Sequence, residues 1–193
     1  MDDAERVAAA AHDVLREADV ELEAGLSAAE LRGVERRFGL VLAPVHAAFL
    51  RLGLPVGPGW PDWRHGDPDA LRARLAAPVE GVLLDVREHG FWFPGWGARP
   101  PRAGLAEQVA RDRLAGVPPL VPLRGHRYLP GGEQPAHCPV LSVVQTDVIA
   151  YGRDLADWVR RELGREPGPG GSPRFRVPFW SDLAGGPAGT VPA

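Results

Sequence analysis

Apolar residues recur at helical spacing along most of this chain and change to short strand-like runs only between residues 120 and 151. Residues 3–18 put Val7, Ala11, Val14, Leu15 and Ala18 on one side, with charges largely on the other, which predicts an amphipathic first helix. Ser27 followed by Glu30 is a capping box: each side chain satisfies a backbone N–H that the helix start leaves free. Leu31, Val34 and Phe38 then share a face, and Gly39 supplies the stop. Pro44 opens a short helix over 44–52, with Phe49 inward and Gly53 closing it.

Residues 55–64 are too dense in proline and glycine for a regular element, yet they hold Trp60 and Trp63. Asp67 and Pro68 predict a helix over 69–76, and Pro78 predicts the start of another running to Gly90. FWFPGWG (91–97) follows directly, and a proline-bounded loop leads to a helix at 105–114. Residues 120–123 and 140–144 are short and rich in branched apolar side chains, and 147–151 forms a third strand after a turn at Gln145-Thr146. These predict an antiparallel meander, with residues 126–128 on a loop after its first strand. Asp154 caps a last helix whose Leu155, Trp158, Val159 and Leu163 share a face.

The expected organisation is an N-terminal helix (1–21), one α+β domain (22–165) and a tail (166–193). The tail holds six prolines and six glycines in 28 residues, which favours an unstructured segment. Within it, residues 175–180 are too apolar to stay in water and are expected to dock back.

Composition narrows the function classes. All 22 basic residues are arginine, against 25 acidic ones, so the net charge of -3 offers no excess of positive charge for a nucleic-acid partner. Cys138 is alone, so no disulfide forms within the chain, and the acidic N-terminus resembles no secretory signal. No apolar run reaches membrane-spanning length. A cytoplasmic protein without membrane contact is the expectation.

Candidate chemistry is sparse. His126, His137 and Cys138 can all ligate zinc, but ten intervening residues and an adjacent His-Cys pair match no usual ligand spacing, so neither metal nor cofactor is expected. If His137 and Cys138 begin a strand, their side chains point to opposite faces and cannot act as a nucleophilic pair. His126 and Tyr128 could join Asp147 in a polar group for ligand binding or acid–base work, or could simply hold the hairpin in register. Trp60, Trp63, Trp92 and Trp96 all lie in Gly/Pro-rich segments, where rings form either a recognition surface or packing between short elements. On the residues alone, this is an α+β domain with no reaction assigned.

Four pieces in order resemble the SMI1/KNR4 family, also called the SUKH superfamily: GLSAAELRGVERRFGLVLAPVHAAFLRL (25–52), FWFPGWG (91–97), LVPLRGHRYLP (120–130) and PVLSVVQTDVIAYGRDLADWVRREL (139–163). The likeness covers roughly residues 22–163 and rests on motif order. Typical members carry a leucine-proline pair before the third helix, where this chain has Leu42-Ala43-Pro44. FWFPGWG and FRVPFWSDL (175–183) are similar to a bacterial subgroup. The resemblance implies a mixed, mostly antiparallel sheet surrounded by helices. It also implies a non-enzymatic protein-binding role, as in immunity proteins that neutralise a cognate toxin, or alternatively in intracellular scaffold and regulatory domains. It carries no catalytic motif. An enzyme using His126, Tyr128 and Asp147 is the remaining expectation for the structure to address.

Overall fold

A computed structural model of the chain describes residues 1–168 and 175–185. Helix α1 (Asp3–Glu17) begins at a capping box made by Asp2 and Glu5, a second such signal beside that of Ser27 and Glu30. Leu22–Glu23 (β1) leads to α2 (Ala28–Phe38), which stops at Gly39 with φ 63°. Next come α3 (Pro44–Leu52) and β2 (Leu54–Pro55), which pairs antiparallel with β1. This small ladder is missing from the sequence prediction because two residues carry no periodicity.

Helix α4 (Pro68–Glu88) is continuous, where the sequence predicts two helices meeting at Pro78. A proline inside a helix removes one N–H and frees the carbonyl four residues earlier. Here that carbonyl belongs to Arg74, and the Tyr128 hydroxyl donates to it at 3.4 Å. The break is repaired by a side chain from the sheet, a partner that local sequence does not contain.

After a 3-10 turn at Pro94–Trp96 and helix α5 (Ala103–Leu114), the chain forms β3 (Leu120–Arg124), β4 (Arg127–Pro130), β5 (Val140–Val144) and β6 (Asp147–Gly152). They pair in that order, every pair antiparallel, giving the α+β fold. Strand β4 corrects the loop expected at 126–128: the reversal takes only Gly125, with φ 53°, and His126 before pairing resumes. Pro122 sits in β3, at the sheet's edge, where a missing N–H costs least. Helices α6 (Leu155–Glu162) and α7 (Trp180–Gly185) complete the described chain.

Strand periodicity divides the core in two. Val121, Leu123, Leu129 and Val140 face one way, into a cluster with α1, α3 and α6, where Trp158 is wholly buried. Leu120, Tyr128, Leu141, Val143 and Val148 face the other way, toward α4, α5 and the C-terminal segment. The sheet is therefore the middle of three layers. The run 175–180, expected to dock, has Val177, Phe179 and Trp180 buried in the second cluster; residues 169–174 and 186–193 of the expected tail lie outside the described residues.

Two contacts set how the layers meet at β6. Register shifts between Val140 and Leu141, pairing them with Gly152 and Ala150, so Tyr151 is the extra residue of a bulge. A Cβ on Gly152 would lie 2.6 Å from that of Trp158, so only glycine lets α6 approach this closely. On the other side, the β5–β6 turn is clamped to α4. Asp85, 5% exposed, accepts from Thr146 N–H at 2.9 Å and Thr146 Oγ1 at 2.5 Å, and bonds His89 Nδ1 at 2.7 Å. Burial pushes the Asp85 carboxyl upward, but these hydrogen bonds outweigh it and its pKa lies below the ordinary value. No described helix is long and apolar enough to cross a membrane.

Candidate functional site

The seven residues selected from sequence do not form one site. Trp63 is core: 3% exposed, it meets Phe38 and His46 edge-on at 6.0 and 6.5 Å. Trp96 is also buried, stacked at 5.7 Å on Phe179, while half-buried Trp92 packs edge-on against it at 5.2 Å and donates its Nε1–H to Gly97 O at 2.7 Å. Trp60 lies elsewhere, half-buried and edge-on to Trp158 at 5.8 Å. There is thus no shared tryptophan-rich face.

His126, Tyr128 and Asp147 do not converge either. Val143 N–H donates to His126 O at 3.0 Å, and Asp147 pairs with Val144, so β5 stands between His126 and Asp147. Two strand spacings amount to about 9–10 Å. The Tyr128 ring is buried on the helix-covered side, where burial pushes its hydroxyl pKa up. Asp147 is exposed at the turn. The acid–base group imagined for these three is not assembled.

What the fold does bring together is the end of the sheet that α6 leaves uncovered. Arg127, on β4, is held from three directions. Its Nη1 donates to Ser142 Oγ at 2.8 Å, its Nε to Glu162 Oε2 at 3.3 Å, and its guanidinium lies 4.0 Å from the Tyr151 ring centre. It also touches the His126 imidazole, whose pKa is lowered by burial and then by this positive neighbour. Glu162 pairs in addition with Arg124 at 3.5 Å, and the Arg124 guanidinium lies 5.6 Å from the Trp60 ring centre. Beside Arg124, an open cleft of about 160 Å³ is lined by Val20, Val56, Pro58, Trp60 and Leu163 among others.

Next to this ordered polar cluster, Val144 and Ile149 are each 52% exposed. The sequence offered a signal for them. In DVIAY, strand alternation with Val148 buried turns Ile149 outward, to a position where polar residues are usual. Arg124, Arg127, Ser142 and Glu162 had no such signal, because three separate strands and one helix supply them.

The other candidate chemistry is apart from this place. Cys138 is buried and burial pushes its thiol up to about 12, so it stays protonated at neutral pH. His137 bonds Asp154 at 2.9 Å and lies 3.4 Å from Asp3. Among the described residues there is no group of three or more His, Cys, Asp or Glu placed to hold a metal ion. No family model, curated protein or solved structure matches the chain.

Proposed function

We propose that this chain is a non-enzymatic binding protein that grips a protein partner at the uncovered end of its sheet. Its role is the one the SMI1/KNR4 resemblance implies: an immunity protein neutralising a bacterial toxin in the cytoplasm. The observation carrying this reading is the pairing of exposed Val144 and Ile149 with a preorganised rim of Arg127, Tyr151, Arg124 and Trp60. Arginine, tyrosine and tryptophan dominate binding hot spots because they combine large contact area with a hydrogen-bonding tip. Holding Arg127 between Glu162, Ser142 and Tyr151 before any encounter reduces the ordering that binding requires.

The test is capture of partners by the tagged protein in its native cell, followed by co-expression with whatever toxin is recovered. Ile149→Asp and Tyr151→Ala are expected to abolish capture and growth rescue, whereas Trp92→Ala leaves both intact. A captured partner that is no toxin supports the scaffold alternative. Undiminished capture by both sheet variants removes this surface from consideration.

A further inference from the structure

The C-terminal segment 175–185 is hydrogen-bonded within itself. Ser181 N–H donates to Val177 O at 2.8 Å, Leu183 N–H to Phe179 O at 3.1 Å, and Val177 N–H to Ser181 Oγ at 2.8 Å. Toward the body, Trp180 Nε1–H donates to Pro118 O at 2.9 Å. Apolar side chains add to this attachment. Val177 is 1% exposed, Phe179 5% and Trp180 0%. Phe179 lies parallel to Trp96, 9° between planes, and meets the Phe93 ring edge at 5.1 Å.

A piece that keeps its shape through internal hydrogen bonds and attaches by three buried side chains is built like a peptide ligand in a groove. Phe179 adds a second sign, with φ 68°, a left-handed conformation uncommon for a bulky side chain and sustained by the surrounding contacts. Six residues, 169–174, join this plug to Gly168, in the irregular chain that follows α6.

We propose that the groove beside Trp96 and Phe93 is a peptide-binding site for a Val-Pro-Phe-Trp segment. It is filled in cis by residues 177–180 and open in trans to the same segment of a second copy of this chain. Every copy carries both groove and plug, so nothing new has to form for exchange between copies. Covalent connection gives the cis plug an effective concentration of about millimolar, which keeps it home in dilute solution and lets the second copy compete as protein concentration approaches that level.

Full-length protein and a labelled peptide of residues 175–185 test this. Wild type, with its groove filled, binds the peptide weakly. Trp180→Ala, which withdraws the deepest side chain but leaves the groove walls, binds at least about tenfold tighter, and a peptide carrying Trp180→Ala binds neither protein. Equal or undetectable binding by both overturns the proposal. Should Trp180→Ala not fold, a protease site within 169–174 of the full chain serves instead. After cutting, the plug co-elutes with the body and exchanges for labelled peptide; a plug that never exchanges overturns the proposal. At about millimolar protein, light scattering finds dimers, and a strictly monomeric wild type overturns the second-copy assignment.

Discussion

The two faces of the sheet are finished differently. Toward α4, α5 and the C-terminal segment, Tyr128, Leu141, Val143 and Val148 are all buried, and even the β5–β6 turn is clamped by Asp85. Toward α1, α3 and α6, burial ends partway along the strands: Leu129 and Val140 are fully covered, while Val144 and Ile149 are half exposed. Helix α6 is only eight residues long and ends at Glu162, whose carboxylate holds Arg124 and Arg127 at the boundary. A face closed by two helices and an added segment is serving stability. An apolar end left open, with its rim already ordered, is suited to contact.

The largest test of that contrast removes Trp158, which anchors the covered part of the open face. Trp158→Ala is expected to lower the free energy of unfolding by about 3–5 kcal/mol in denaturant titration, since it opens a cavity beneath the sheet. A loss under 1 kcal/mol would mean that α6 is not anchored through this ring.

Asp85→Ala comes next. It leaves two donors of Thr146 without their acceptor, and unfolding measurements should find a loss of about 1–3 kcal/mol. Partner binding at the nearby open end should weaken as well, because the turn between Val144 and Asp147 loses its seat on α4.

Acid sharpens the comparison through the helices behind the open face. His46 is wholly buried, and burial lowers its pKa from 6.5 to about 3; His12, whose Nε2 lies 2.8 Å from Phe49 O, is shifted down for the same first reason. The unfolded chain therefore binds protons that the folded chain refuses, so stability falls as pH drops below 6.5 and continues falling toward 3. For His46 this amounts to about 1 kcal/mol by pH 5.5. Unfolding curves at pH 7 and 5.5 should show the loss in wild type and a smaller one in His46→Leu. An identical loss in both would place the sensitivity elsewhere.

The smallest effect belongs to the open patch itself. Ile149→Ser and Val144→Ser should change stability by less than about 0.5 kcal/mol, as surface positions do. A cost of 2 kcal/mol or more in either would show that the patch is part of the core after all.

Helix starts and the β5–β6 hairpin were legible because their causes are local. Ser27 and Glu30, Asp154, Gly39 and the alternation in 140–151 each act within a few residues of themselves. Helix α4 was misread for the complementary reason: Pro78 is a break signal locally, and the hydroxyl that answers it comes from Tyr128, fifty residues on. Strand β4 was hidden because Arg127 is polar by composition, although Ser142, Glu162 and Tyr151 give it a nearly enclosed place.

By itself, then, the chain determined its helical caps, its antiparallel meander, and the apolar character of the segment around Phe179 and Trp180. Only packing decided that Trp63 and Trp96 are interior while Trp60 borders a cleft, and that His126, Tyr128 and Asp147 stand apart. Periodicity and capping depend on neighbours a turn away, whereas burial and convergence depend on which distant segments arrive at the same place. That arrival is set by close approaches such as Gly152 against Trp158 and Gly81 against Gln145, which no short stretch of sequence encodes.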